Sequence, residues 1–145
     1  MADRNATTSW TGDLGSGSGI VTLDSSNAGQ FPVSFATRAE DPAGQTSPEE
    51  LIAAAHSSCY SMQLSALLGG LGHTPERIDT SAEVTLGKSG DGFAITGIAL
   101  TVRATVAGAD ADADTFQQAA QQAKETCPVS AALTGTTITL DAQLA

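Results

Sequence analysis

Between Leu51 and Leu71 the chain carries no Asp, Glu, Lys or Arg, and its apolar residues fall on every side of a helix. An uncharged run of that length is either a membrane span or a helix buried on most sides. His56, Ser57, Ser58, Ser61, Gln63 and Ser65 each need a polar partner, which lipid does not supply. The pattern therefore predicts a central helix packed all round. Its start is marked by Ser47 as N-cap, Pro48 at the first helical position, and Glu50 three residues on, the spacing of a capping box. Glu49 and Glu50 also suit the positive end of the helix dipole. Gly69, Gly70 and Gly72, followed by Pro75, give the stop.

Before this helix, residues 7–11 and 19–23 read as short strands. The run Gly15-Ser16-Gly17-Ser18-Gly19 between them lacks the Lys and the following helix of a phosphate loop, so it reads as a turn. Phe31, Val33 and Phe35 alternate with polar or small residues, which predicts a third strand, and Pro32 suggests an edge position. Residues 37–46 form a polar loop that holds Arg38.

After the helix, Ile78, Thr80, Ala82, Val84 and Leu86 share one face of a strand, and residues 87–92 make a hairpin turn. In the next strand, 93–106, the apolar phase switches at Gly97, the mark of a β-bulge. Residues 110–126 then read as a helix, with Phe116, Ala119, Ala120, Ala123 and Cys127 on its apolar face and Asp110, Asp112 and Asp114 at its start. Pro128 ends it, and residues 128–133 form a short helix with Cys127 as N-cap. Ile138, Leu140, Ala142 and Leu144 alternate in a last strand. The order predicts an α+β fold with mainly antiparallel pairing around a long central helix. One sheet cannot cover a helix that is apolar all round, so a second copy of the chain is expected, as a symmetric dimer.

Composition narrows the function. The chain has 145 residues, the size of one domain, residues 1–145. Hydrophobic residues are 41% and aromatics 4%, so the core is aliphatic and alanine packing. The net charge of -10, from 6 Lys+Arg against 16 Asp+Glu, argues against nucleic acid and anionic membrane surfaces. The N-terminal M-A-D-R-N-A-T-T-S-W has no apolar stretch of a signal peptide, so a cytoplasmic protein is expected.

In that compartment two cysteines are inert buried thiols or a redox pair rather than a permanent disulfide. Cys59 and Cys127 both fall on apolar helical faces, so they can meet across the sequence. Cys127 precedes Pro128 at a helix N-terminus, a position that lowers a thiol pKa. Cys59 lies in an apolar segment, where a thiolate is costly without a cation. Arg38, in the loop before the central helix, is the candidate cation, and a solvated loop arginine is the plainer alternative. Glu49 and Glu50 are capping carboxylates or partners that aim Arg38. Glu49 is ten residues from Cys59, about 15 Å along the axis, so it cannot touch that thiol directly. His56, one turn before Cys59, could serve it as a base or join His73 and both cysteines around zinc. The spacing is weak for either role, and a packed, hydrogen-bonded core histidine is expected.

The motifs S-P-E-E-L-I-A-A-A-H-S-S-C-Y-S-M and K-E-T-C-P-V-S resemble the OsmC family of osmotically inducible, organic-hydroperoxide-reducing proteins. I-D-T-S-A-E-V-T-L, G-F-A-I-T-G-I-A-L and the terminal I-T-L-D extend the match over nearly the whole chain. The arginine just before the central helix, at Arg38, points to the OsmC branch rather than the organic-hydroperoxide-resistance branch. The resemblance implies an intertwined homodimer with active sites at the subunit interface. It puts the peroxidatic cysteine at Cys59, the resolving cysteine at Cys127, the thiolate-stabilising arginine at Arg38 and the arginine-orienting glutamate at Glu49. The implied chemistry takes Cys59 through a sulfenic acid to a disulfide with Cys127, and a dithiol reductant of lipoyl-protein or thioredoxin type resets the pair. It needs no metal, haem or flavin. Phe35, Ile52 and Met62 are the candidate apolar contacts that favour organic hydroperoxides over hydrogen peroxide. Two other readings compete: a thiol-disulfide redox sensor acting on proteins, and a non-catalytic dimeric ligand-binding stress protein.

Overall fold

The computed structural model describes residues 1–107 and 112–145. The chain falls into two compact units, residues 1–51 and 52–145. Among the described residues the strands form two three-stranded sheets, one in each unit, in an α+β arrangement.

In the first unit, strands β1 (Thr7–Thr11), β2 (Ser18–Thr22) and β3 (Gln30–Val33) pair antiparallel in that order. Pro32 lies opposite Ile20 on β3, which is an edge strand as its proline demands. The glycine-rich run is a turn. The Asp13 carboxylate accepts the backbone N–H groups of Gly15 and Ser16 at 2.9 and 2.8 Å, so those donors are already used. A Cβ on Gly17 would stand 2.3 Å from the Asp13 carbonyl oxygen, which fixes glycine there. The third strand is shorter than its alternation predicts. Phe35 opens a helical turn instead, α1 (Phe35–Ala39), because the Ser34 hydroxyl accepts the Thr37 N–H at 3.2 Å and caps it. Arg38 is therefore held on a capped turn rather than in an open loop.

The central helix, α2 (Pro48–Gly70), has the predicted bounds. The Ser47 hydroxyl accepts the Glu50 N–H at 3.1 Å, but the Glu50 carboxylate takes the Thr46 hydroxyl at 2.6 Å, so only half of the capping box forms. At the other end the His73 N–H reaches the Leu68 carbonyl at 2.9 Å and the Gly72 N–H reaches Gly69 at 3.1 Å. Gly72 has φ +84°. This is a Schellman ending. Among the described residues, cover on the helix is one-sided. His56, Tyr60, Leu64 and Leu68 are buried at four-residue spacing, whereas Ala54, Ala55, Ser58, Met62, Ser65, Ala66 and Gly69 are exposed.

In the second unit, β4 (Pro75–Ser89) and β5 (Gly92–Val106) make a long antiparallel hairpin that turns at Gly90 and Asp91. Thr85 pairs with Gly97 and Leu86 with Ile95, so Thr96 is the extra residue of the bulge that the phase switch predicts. Helix α3 (Ala113–Thr126) is capped by Asp112, whose carboxylate accepts the Thr115 N–H at 2.7 Å. The predicted start at Asp110 lies outside the described residues. Helix α4 (Pro128–Ala132) follows, with Cys127 at its N-cap position. Strand β6 (Ile138–Leu144) then pairs parallel to β5, so this sheet is mixed. The helical crossover between β5 and β6 is what makes the parallel pairing possible.

The core of this unit joins Tyr60, Leu64 and Leu68 of α2 to Leu100, Val102 and Ala104 of β5. Phe116, Ala119, Ala120 and Ala123 of α3 and Ala142 of β6 complete it. Small α3 residues let the helix lie close to the sheet, and the Tyr60 hydroxyl donates to the Ala120 carbonyl at 2.9 Å.

Candidate active site

Two clusters of chemistry stand out, one in each unit. In the first, Arg38 on α1 holds Glu49 at the start of α2. Arg38 Nε donates to both carboxylate oxygens at 3.1 Å, and Nη2 donates to Oε1 at 2.7 Å. Glu49 is 7% exposed. The arginine satisfies both oxygens of this buried carboxylate, which also sits in the first turn at the positive end of the helix dipole. The Glu49 hydrogen bond raises the Arg38 pKa further above its ordinary value. Of the two candidate glutamates, Glu49 takes the arginine and Glu50 takes Thr46.

Beside Arg38 is a cavity of about 380 Å³. Trp10, Leu14, Val21, Val33, Phe35, Pro48 and Leu51 give it an apolar wall, and Arg38 is its charged group. Phe35 is one of the lining residues. Ile52 and Met62 are not among the lining residues. Ile52 is half-buried on α2, and Met62 is 67% exposed. Met62 lines a separate groove with Ser61, Ser65, Ala66 and residues 75–78.

In the second unit the two cysteines meet. They are free thiols with their sulfurs in hydrogen-bonding contact at 2.8 Å, although 68 residues separate them. Cys127 is fully buried and Cys59 partly so. Burial pushes the Cys59 thiol up, and the hydrogen bond with Cys127 adds to this; only the Val129 N–H favours its thiolate. Burial would also push Cys127 up. The polar groups beside it, first Cys59 and then the Ser130 N–H and hydroxyl and the Val129 N–H, outweigh burial and bring it below its ordinary value. Within this unit the local donors therefore serve Cys127 better than Cys59.

Behind Cys127 lies a group that the sequence reading did not assemble. His56 Nε2 and Ser130 Oγ are 2.7 Å apart, and both residues are buried. His56 is a packed, hydrogen-bonded core histidine, as expected. Burial lowers its pKa, so the ring is neutral near neutral pH. The signal for Ser130 was in the sequence. It stands three residues after Cys127 in C-P-V-S, at a helix start, where a hydroxyl can turn back to the N-cap residue.

The family model for OsmC-like protein matches residues 41–141. The chain is 50% identical over 135 residues to Peroxiredoxin OsmC of Escherichia coli (strain K12), across 93% of this chain and 92% of that one. It belongs to the OsmC family. The figures for Peroxiredoxin OsmC of Shigella flexneri are the same. The fold matches the crystal structure of the organic hydroperoxide resistance protein OhrB of Bacillus subtilis at 25% identity and TM-score 0.74, over 96% of this chain and 98% of that one. An OsmC-like protein of unknown function from Vibrio cholerae shares the fold at TM-score 0.78 and 16% identity, over 99% of this chain and 100% of that one.

Proposed function

We propose that this protein is a cysteine-based peroxidase that reduces organic hydroperoxides to alcohols in stress defence. The observation that carries the reading is the pair of free thiols, Cys59 and Cys127, in contact at 2.8 Å. The 50% identity to a peroxiredoxin and the likeness to an organic hydroperoxide resistance protein support it.

In this reading Cys59 is the peroxidatic residue and Cys127 the resolving one. The Cys59 thiolate attacks the distal peroxide oxygen, the O–O bond breaks, and the alkoxide leaves as alcohol after taking a proton. Cys59 is then a sulfenic acid. Cys127 attacks that sulfur, water leaves, and the disulfide forms. A dithiol reductant of lipoyl-protein or thioredoxin type returns both thiols by exchange. Burial works against a thiolate at Cys59, so the first step needs a cation. The reading gives that task to Arg38, aimed by Glu49 through three hydrogen bonds. The cavity beside Arg38 is the candidate seat for the alkyl tail, because burying apolar area there favours organic hydroperoxides over hydrogen peroxide.

The exposed small-residue face of α2 favours a homodimer in which a second copy covers it. Among the described residues no helix is long and apolar enough to cross a membrane. The reading places the enzyme in the reducing cytoplasm, where a free thiol pair persists between turnovers.

The test is single turnover. Reduced protein treated with one equivalent of cumene hydroperoxide should lose two thiols per chain, and faster than with hydrogen peroxide. Retention of both thiols would overturn the peroxidase reading and favour a non-catalytic binding protein. Equal rates with the two peroxides would overturn the preference for organic substrates.

A further inference from the structure

A sulfenic acid at Cys59 has two fates. The Cys127 sulfur can attack it and close the disulfide, or a second peroxide can carry it to the sulfinic acid, which thiols do not reverse. The balance depends on how closely the Cys127 sulfur is held against Cys59. Cys127 is the single residue between α3 and α4. Its N–H bonds to the Ala123 carbonyl and its carbonyl accepts the Ala131 N–H, both at 2.9 Å, so its backbone is fixed to that corner. Where its sulfur points is therefore set by how the corner is tied to α2, which carries Cys59.

Two side-chain hydrogen bonds make that tie, and they bracket the sulfur contact. One turn before Cys59, His56 Nε2 meets Ser130 Oγ at 2.7 Å, just beyond Cys127 in the chain. One turn after Cys59, Gln63 Nε2 donates to Thr126 Oγ1 at 2.9 Å, just before Cys127. The Thr126 hydroxyl is itself held, donating to the Gln122 carbonyl at 2.8 Å. The two sulfurs meet between these ties at 2.8 Å. The His56–Ser130 pair is buried, and His56 Nδ1 has no hydrogen-bond partner among the described residues. For packing alone, an apolar pair of similar shape would serve as well and leave no polar atom unsatisfied. What the polar pair adds is a fixed distance and direction between α2 and α4.

We propose that His56 and Gln63 are positioning residues for the resolving step. Through Ser130 and Thr126 they clamp the α3–α4 corner on both sides of Cys127, and so favour disulfide closure over over-oxidation of Cys59. The proposal rests on the two-cysteine reading above and leaves the first step to Cys59 and Arg38. In closure, the Cys127 sulfur bonds to the Cys59 sulfur and the Cys59 S–O bond breaks. The departing hydroxide takes the proton that Cys127 gave up and leaves as water. In the competing step, the sulfenic sulfur takes an oxygen atom from a second hydroperoxide, whose O–O bond breaks, and the alcohol leaves. The clamp speeds only closure.

The experiment follows a single turnover with cumene hydroperoxide, sulfenic acid by dimedone trapping and disulfide by thiol count. A titration with excess peroxide then reads sulfinic acid at Cys59 by mass spectrometry. The double variant His56→Leu/Ser130→Ala leaves no unpaired partner and should melt near the parent. It should form sulfenic acid within about twofold of the parent rate, close the disulfide about tenfold more slowly, and reach half over-oxidation at about tenfold less peroxide. His56→Gln keeps a polar group within reach of Ser130 and should close within about threefold of the parent rate. Gln63→Leu tests the exposed tie, where folding is not at stake, and should slow closure about threefold. Closure at the parent rate in the double variant or in Gln63→Leu would overturn the proposal. So would sulfenic acid formation slowed as much as closure, which marks a general loosening of the fold, or a His56→Gln variant as slow as the double variant. A parent protein that forms no disulfide at all would remove the two-cysteine reading itself, and with it this inference; that result is seen before any variant is compared.

Discussion

The two clusters of this chain solve opposite problems with buried groups. Around Glu49 the structure builds an ion pair: a carboxylate with 7% exposure accepts three hydrogen bonds from Arg38 at a helix N-terminus. Around Cys127 there is no ion pair among the described residues: the two sulfurs are in contact at 2.8 Å, and behind them His56 Nε2 and Ser130 Oγ meet at 2.7 Å. The first arrangement carries the desolvation cost of its buried carboxylate at all times. The second holds two thiols, whose ionisation the local donors and burial tune in opposite directions. A permanent ion pair thus suits the role of a fixed cation, and a contacting thiol pair suits redox exchange.

Breaking the thiol cluster should have the largest effect. Cys59→Ser should abolish peroxide consumption, measured by loss of cumene hydroperoxide against time. Breaking the charged cluster should come next. Arg38→Met should slow sulfenic acid formation about tenfold or more, as loss of a neighbouring cation raises a thiol pKa by about one to three units and higher nucleophilicity offsets only part of this. Glu49→Gln should give a smaller loss in the same step, because Arg38 keeps its charge and loses its aim. Stopped-flow single turnover separates both from changes in resolution.

The cavity sharpens the contrast further. Leu14→Ser should raise KM for cumene hydroperoxide about twofold to fivefold and leave hydrogen peroxide kinetics unchanged, since only the alkyl tail loses apolar contact. The smallest expected effect is on stability. The folded-state pKa of His56 is lowered by burial, so the unfolded chain binds the proton more readily. Stability should be complete above about pH 6.5 and fall as pH drops from there through the folded pKa. Denaturation midpoints across that range should show this decline in the parent and a flatter curve in His56→Gln.

Much of this was legible in sequence because it rests on local rules. The bounds of α2 follow from Ser47, Pro48 and the terminal glycines, and the bulge at Thr96 follows from a change of apolar phase. The strand through Phe35 was misread because alternation in a short window is ambiguous, and the Ser34 cap decided for a helical turn. The mixed sheet was missed because strand direction depends on how the chain crosses over, not on the alternation within β6. Arg38 and Glu49 could be paired only as candidates, since two adjacent glutamates point to different sides of a helix. The His56–Ser130 bond spans 74 residues and needs α4 to be placed before it can be seen.

The most direct test of the account is which sulfur meets peroxide first. Within residues 52–145 the local donors favour ionisation of Cys127, yet the account assigns the attack to Cys59. Reduced Cys127→Ala and Cys59→Ala variants should each be mixed with one equivalent of cumene hydroperoxide and a sulfenic acid trap, then mapped by mass spectrometry. The account predicts a rapid adduct on Cys59 in Cys127→Ala and next to none on Cys127 in Cys59→Ala. A rapid adduct on Cys127 with Cys59 left unmodified would contradict it and reverse the two roles.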